Sequence, residues 1–125
     1  MALDVKLDRV GNCPAVVLAG RVVDIDVKKM ARRLDALYRK KDPNVVVDVS
    51  GADFIDSHGL GTIVYFHTLL QKEGRQLLIL NTNPNQNSYL SRLFELTHLD
   101  KVLHLISSVK EVLNAAPRPE PRMHR

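Results

Sequence analysis

The chain has 125 residues, 45% of them apolar, and a formal net charge of +4; this is the scale of one domain around one core. No apolar run approaches the roughly 20 residues that cross a bilayer, and the first ten residues contain no signal-type apolar segment. A single Cys13 excludes an internal disulfide, so the expectation is a cytoplasmic protein without membrane insertion.

The charge is unevenly placed. The last twelve residues, "NAAPRPEPRMHR", carry a net +2, and prolines at 117, 119 and 121 forbid a helix there. The reading is a domain over residues 1–114 and a disordered, basic, proline-rich tail over 115–125.

In chain order, "DVKLDRV" alternates Val5 and Leu7 with charge and predicts a half-buried strand. "PAVVLAG" is a second strand, and Gly11-Asn12 between them predicts a hairpin. Val27, Met30, Ala31, Leu34, Leu37 and Tyr38 recur at helical spacing, predicting a helix near 26–40. "NVVVDV" predicts a buried strand ending near residue 49. A helix follows from about Ser57 to Glu73, stopped by Gly74, and "QLLIL" is another buried strand. Asn83 and Pro84 suit the start of a helix whose stripe is Leu90, Leu93 and Phe94. "KVLHLI" predicts a short edge strand and "SVKEVLNAA" a last helix. Strands alternating with helices predict an α/β fold: a mixed sheet of four to five strands with helices chiefly on one face.

The chemistry concentrates in "FIDSHGLG", residues 54–61, between the strand near 45–49 and the following helix. Ser57 admits four readings. As part of a phosphate cradle, the segment lacks the third glycine of GxGxxG, since position 64 is Val64, and lacks a Walker lysine. As a nucleophile, Ser57 needs a base: the adjacent His58 cannot face it on a helix, nothing in the sequence assigns a distant His67, His98 or His104 to it, and the pattern is not G-x-S-x-G. As a structural cap, either Asp56 or Ser57 suffices. That reading leaves Gly61 unexplained, because glycine inside a first turn costs roughly 1 kcal/mol against alanine. As a regulatory phosphoacceptor, Ser57 would place its phosphate at the positive end of a helix dipole, where the fold tolerates it. A partner docked over Gly59 and Gly61 would then meet new charge beside Asp56.

The stretch "VVVDVSGADFIDSHGLGTIVYFHTLLQKEGRQLLILNTNPN", followed by "LSRLFELTHLDKVL", resembles a STAS domain, and the likeness spans about residues 3–114. Without an attached membrane segment it is similar to the free-standing bacterial anti-sigma factor antagonists. The resemblance implies that Ser57 is the phosphoacceptor and that Asp24, Asp56, His58, Gly59, Leu60 and Gly61 form the partner-binding surface. It also implies the partners. The unmodified protein binds an anti-sigma factor that is a serine kinase with a histidine-kinase-like ATPase fold, phosphorylation ends binding, and a PP2C-type phosphatase restores it. Such a protein is a substrate and a binder, with no enzymatic activity and no cofactor. The alternative within the same resemblance is a STAS binding subunit of a lipid-transport or signalling complex, without serine phosphorylation.

Three positions depart from the family pattern. His58 stands where a Ser or Thr is usual, Gly20-Arg21-Val22-Val23-Asp24 replaces Gly-Glu-(apolar)-Asp, and Thr97-His98-Leu99 replaces Thr-Gly-Leu. A helix ending before Leu99 needs a left-handed residue, so His98 is expected at positive φ. The basic residues of helix 26–40 are read as a solvated face, with no direct nucleic-acid contact in a chain so poor in aromatics. The five histidines lack metal-ligand spacing, and His67, on the apolar stripe, is expected to be half-buried and hydrogen-bonded.

Overall fold

The computed structural model describes residues 3–83 and 88–115. The sheet has strands β1 (Asp4–Val10), β2 (Cys13–Val22), β3 (Asn44–Ile55), β4 (Gln76–Leu80) and β5 (His104–Ile106), in that spatial order. β1 and β2 form the antiparallel hairpin, closed between Val10 and Cys13, and all later pairings are parallel. Helices α1 (Val27–Arg39), α2 (Ser57–Lys72) and α3 (Ser88–Leu96) connect successive parallel strands, and α4 (Val109–Ala115) closes the described chain.

This order explains the layering. Each crossover steps one strand in the same direction, and the right-handed preference then puts α1, α2 and α3 on one face. Their buried residues Met30, Leu34, Ile63, Phe66, Leu70, Leu90 and Phe94 join Val16, Leu18, Val45, Val47, Leu77 and Ile79 in one core. After β5 no strand remains to be reached, so α4 takes the opposite face, where Val112 packs with Cys13, Ala15, Val46, Leu78 and Ile106. β3 and β4 are thus covered on both sides, as their unbroken apolar runs require. The mixed sheet with helices chiefly on one face is the expected fold.

Three expectations need correction. β1 is less buried than its alternation implies: Val5 packs against the core, but Leu7 is 45% exposed. It lies on the edge strand, which α1 meets near Leu3, Asp4 and Val5. β3 runs to Ile55, six residues past Val49. Ser50, Gly51 and Asp53 look like turn residues, but the strand absorbs them through register shifts against β2 between Val17 and Ala19 and between Gly20 and Arg21. There Gly51 passes so close that an added β-carbon would lie 3.1 Å from the Leu18 carbonyl oxygen. His67 is half-buried, but its Nδ1 is buried without a hydrogen-bond partner among the described residues. The proposed helix start at Pro84 and the tail from 116 onward lie outside the described residues.

α3 ends as its sequence requires. Thr97 N–H still donates to Leu93 O, at 3.0 Å, and His98 then turns left-handed at φ 60°, ψ 15°. Leu99, like Leu93, is partly buried against the core. Because a β-carbon is strained there, His98→Gly is expected to gain a few tenths to about 1 kcal/mol despite glycine's larger unfolded-state entropy. Thermal denaturation checks this, and an unchanged or lower Tm would show that the turn carries no strain.

Candidate functional site

Because β3 runs on to Ile55, the segment read as a loop shrinks to one residue, Asp56. Its backbone is extended (φ −85°, ψ 178°), and its side chain caps α2, with Oδ1 accepting from Gly59 N–H at 2.8 Å. Oδ2 accepts from Asp24 N–H at 3.0 Å, while Asp56 N–H donates to Val22 O at 3.1 Å. One carboxylate therefore ties the first turn of α2 to the 3-10 turn Asp24–Asp26 that follows β2. This tie brings Asp24 to Asp56, the residue before Ser57, from 32 positions away in the chain. Asp24 itself sits at φ 48°, a conformation that aspartate tolerates better than most residues.

Burial pushes the Asp56 carboxyl upward, but the N–H groups of Gly59 and Asp24, with help from His58, outweigh it and hold the pKa below the usual aspartate value. A depressed folded pKa contributes stability above the unfolded pKa that is lost as pH falls through the folded one. The stability difference between the wild type and Asp56→Asn should be constant above about pH 5 and shrink below about pH 4. Urea midpoints across that range check it; a difference undiminished at about pH 3 would contradict the assigned tie.

With Asp56 as cap, Ser57 is the first helical residue of α2. It is exposed, and its hydroxyl makes no hydrogen bond among the described residues. His58 is also exposed and is not bonded to it. No base is therefore positioned on the hydroxyl, and a one-residue link leaves no glycine loop to wrap a phosphate chain. No group of three or more His, Cys, Asp or Glu among the described residues is arranged to hold a metal.

The two glycines face opposite ways. Gly59 is buried: an added β-carbon would lie 2.8 Å from Ile55 Cγ2 and 3.1 Å from Val22 O. Gly61 has nothing within 4 Å of that position and faces solvent. Gly59 is therefore the glycine that internal packing requires, while Gly61 leaves the helix backbone bare at the surface. Leu60 is likewise turned into the core. The residues presented outward are Asp24, Ser57, His58 and Gly61.

Helical spacing extends this face. Ser57 and Gly61 are four residues apart, and four further on is Tyr65, 58% exposed. The outer stripe of the first two turns is thus a hydroxyl, a bare backbone and an aromatic ring. In the 3-10 turn that Asp56 ties to α2, Ile25 is 73% exposed. Sequence reasoning named neither residue. The i, i+4 step from Ser57 to Gly61 to Tyr65 was the available signal for one, and an isoleucine between two aspartates for the other.

Elsewhere α1 behaves as a solvated basic face. Lys29 pairs with Asp26 at 3.4 Å and Arg39 with Asp35 at 2.9 Å, while its apolar stripe is buried. No described helix is long and apolar enough to cross a membrane.

Comparison with known proteins bears on this geometry. Residues 4–112 match the STAS domain family. An anti-sigma factor antagonist from Mycobacterium paratuberculosis is similar in structure, with a TM-score of 0.76 and 22% identity over 91% of this chain and 93% of that one. An anti-sigma-factor antagonist (STAS) domain protein from Planctomyces limnophilus matches with a TM-score of 0.68 and 20% identity, over 92% and 98% of the two chains. The Bacillus cell fate determinant SpoIIAA, in a phosphorylated form, matches with a TM-score of 0.66 and 14% identity, over 90% and 99%.

Proposed function

The chain belongs to the STAS domain family, and we propose that within it this protein is an anti-sigma factor antagonist that switches partners through Ser57. In the unmodified state the outer stripe of α2, with Asp24 and His58 beside it, docks on an anti-sigma factor that is itself a serine kinase of the histidine-kinase-like ATPase fold. That kinase transfers phosphate to the Ser57 hydroxyl, and a PP2C-type phosphatase removes it. The protein acts as substrate and binder in the cytoplasm, supplying no catalysis and needing no cofactor.

The observation that carries this reading is the Ser57 hydroxyl. It sits exposed at the first position of a helix whose cap is already supplied by Asp56. Local structure does not employ it, so its presence there is accounted for by an event at the surface. Phosphate at that point gains from the helix dipole, so the fold survives it. A docked surface does not, because about two negative charges must be desolvated beside Asp56.

Phosphopeptide mass spectrometry of the protein purified from its native cell tests the assignment. The expected result is a phosphoserine at Ser57. Complete absence of phosphate across growth conditions would return the domain to a binding subunit without serine phosphorylation, and the switch would fall.

A further inference from the structure

Arg21 lies at the end of β2, one residue before the buried Val22. Val22 and Ile55 are paired neighbours in the core under α1 and α2, so Arg21, like Ala19, points to the other face of the sheet, while Phe54 turns out of that core toward Tyr89 at the start of α3. On that face α4 covers only the far end, where Val112 packs on Cys13 and Ala15. Near the Ser57 end, Ala19 and Arg21 are exposed.

The Arg21 guanidinium lies 4.7 Å from the centroid of the Phe54 ring, and the Phe54 ring stacks on Tyr89 at 5.4 Å with an interplanar angle of 18°. Tyr89 is 42% exposed. The arrangement fixes an otherwise free side chain, so less rotamer entropy remains to be lost when the guanidinium binds something. Arg21 is a held, exposed cation with planar donors and no ion pair among the described residues, set on the ring of Phe54, which lies three residues before Ser57.

We infer that Arg21 is the charge-selecting contact of this surface, and that the protein partner docked at Ser57 seats an aspartate or glutamate side chain on it. This rests on the proposed docking role of the α2 stripe. Covering Arg21 without an anion would strand a desolvated charge, and a basic surface opposite it would be repelled, so the occupant is a protein segment that is acidic at this point. Phe54 and Tyr89 supply the aromatic surface beside it, and aromatic rings with an arginine are the residue mixture enriched where interface energy concentrates.

Site-specific photo-crosslinking in the native cell tests this, with the full chain carrying a benzophenone amino acid at Tyr65 or at Ala19, two residues from Arg21 on its face. Both positions should capture the same protein, and the peptide captured from position 19 should contain an acidic residue. With that protein purified, Arg21→Glu should keep the wild-type Tm and weaken binding by about 30-fold or more at low salt. Reversing the captured acid to arginine should restore most of the loss.

Capture from 65 without capture from 19, or Arg21→Glu binding within about threefold of wild type, would leave the α2 surface standing and remove Arg21 from it. Weakened binding that no acid reversal restores would mean that Arg21 only packs on Phe54, and would overturn the inference. Capture of the chain's own residues 116–125 from position 19 would do the same. Failure of both positions would overturn the docking surface itself, and the inference with it.

Discussion

Ser57→Asp is expected to fold as the wild type does and to lose binding to the proposed serine-kinase partner. An acid at the first helical position is favoured by the dipole, by about 0.3–1 kcal/mol, with Asp56 beside it offsetting part of that gain. At the interface the same acid must be desolvated next to Asp56, a penalty of about 2–5 kcal/mol for an unpaired charge. That corresponds to a Kd raised by roughly 30-fold to several thousand-fold. Ser57→Ala should bind as the unmodified protein does. It should also stay within about 0.5 kcal/mol of wild-type stability, the range for a surface change that removes no special feature, because the hydroxyl is unbonded and Asp56 supplies the cap. Paired thermal melts and affinity titrations separate fold from binding; equal affinity of the two variants for the kinase would remove the switch.

Gly59→Ala and Gly61→Ala should move in opposite directions, though they are two residues apart on one helix. At Gly59 the new methyl meets Ile55 Cγ2 at 2.8 Å, Val22 Cγ1 at 3.0 Å and the Val22 carbonyl oxygen at 3.1 Å. Ile55 and Val22 are fully buried, and that carbonyl accepts the Asp56 N–H, so neither side gives way freely. Overpacking of this kind costs about 1–3 kcal/mol, against a helix-propensity gain of up to about 1 kcal/mol. A net loss near 1–2 kcal/mol lowers Tm by about 5–10 °C in a domain of this size. At Gly61 the methyl meets nothing, so Tm should hold or rise, while a partner lying against the bare helix is pushed away. A stable Gly59→Ala would refute the packing described here. A Gly61→Ala variant with unimpaired binding would show that no partner approaches that backbone.

The parts of the fold legible in the sequence were those fixed by periodicity. The apolar runs of β3 and β4, the stripe of α1 and the His98 turn each follow from a local rule that packing reinforces. The end of β3 was not legible. Ser50, Gly51 and Asp53 carry turn propensity, and only a pairing shift against a strand some thirty residues earlier keeps them extended. The site shared that limit. That Asp56, and not Ser57, caps α2 depends on backbone angles at the strand's end, and the inward and outward glycines differ only by rotation about the helix axis. The join between Asp24 and Asp56 connects residues 32 apart and leaves no periodic trace. The Arg21–Phe54–Tyr89 stack draws on three separate elements and is equally invisible in the sequence.

Native mass spectrometry of the protein mixed with the proposed serine kinase, first with a non-hydrolysable ATP analogue and then with ATP, decides whether phosphorylation of Ser57 ends binding. With the analogue, a stable complex is expected. With ATP, a single phosphate on Ser57 and free protein are expected. A complex that persists with Ser57 phosphorylated, or one that dissociates with Ser57 unmodified, would contradict the switch.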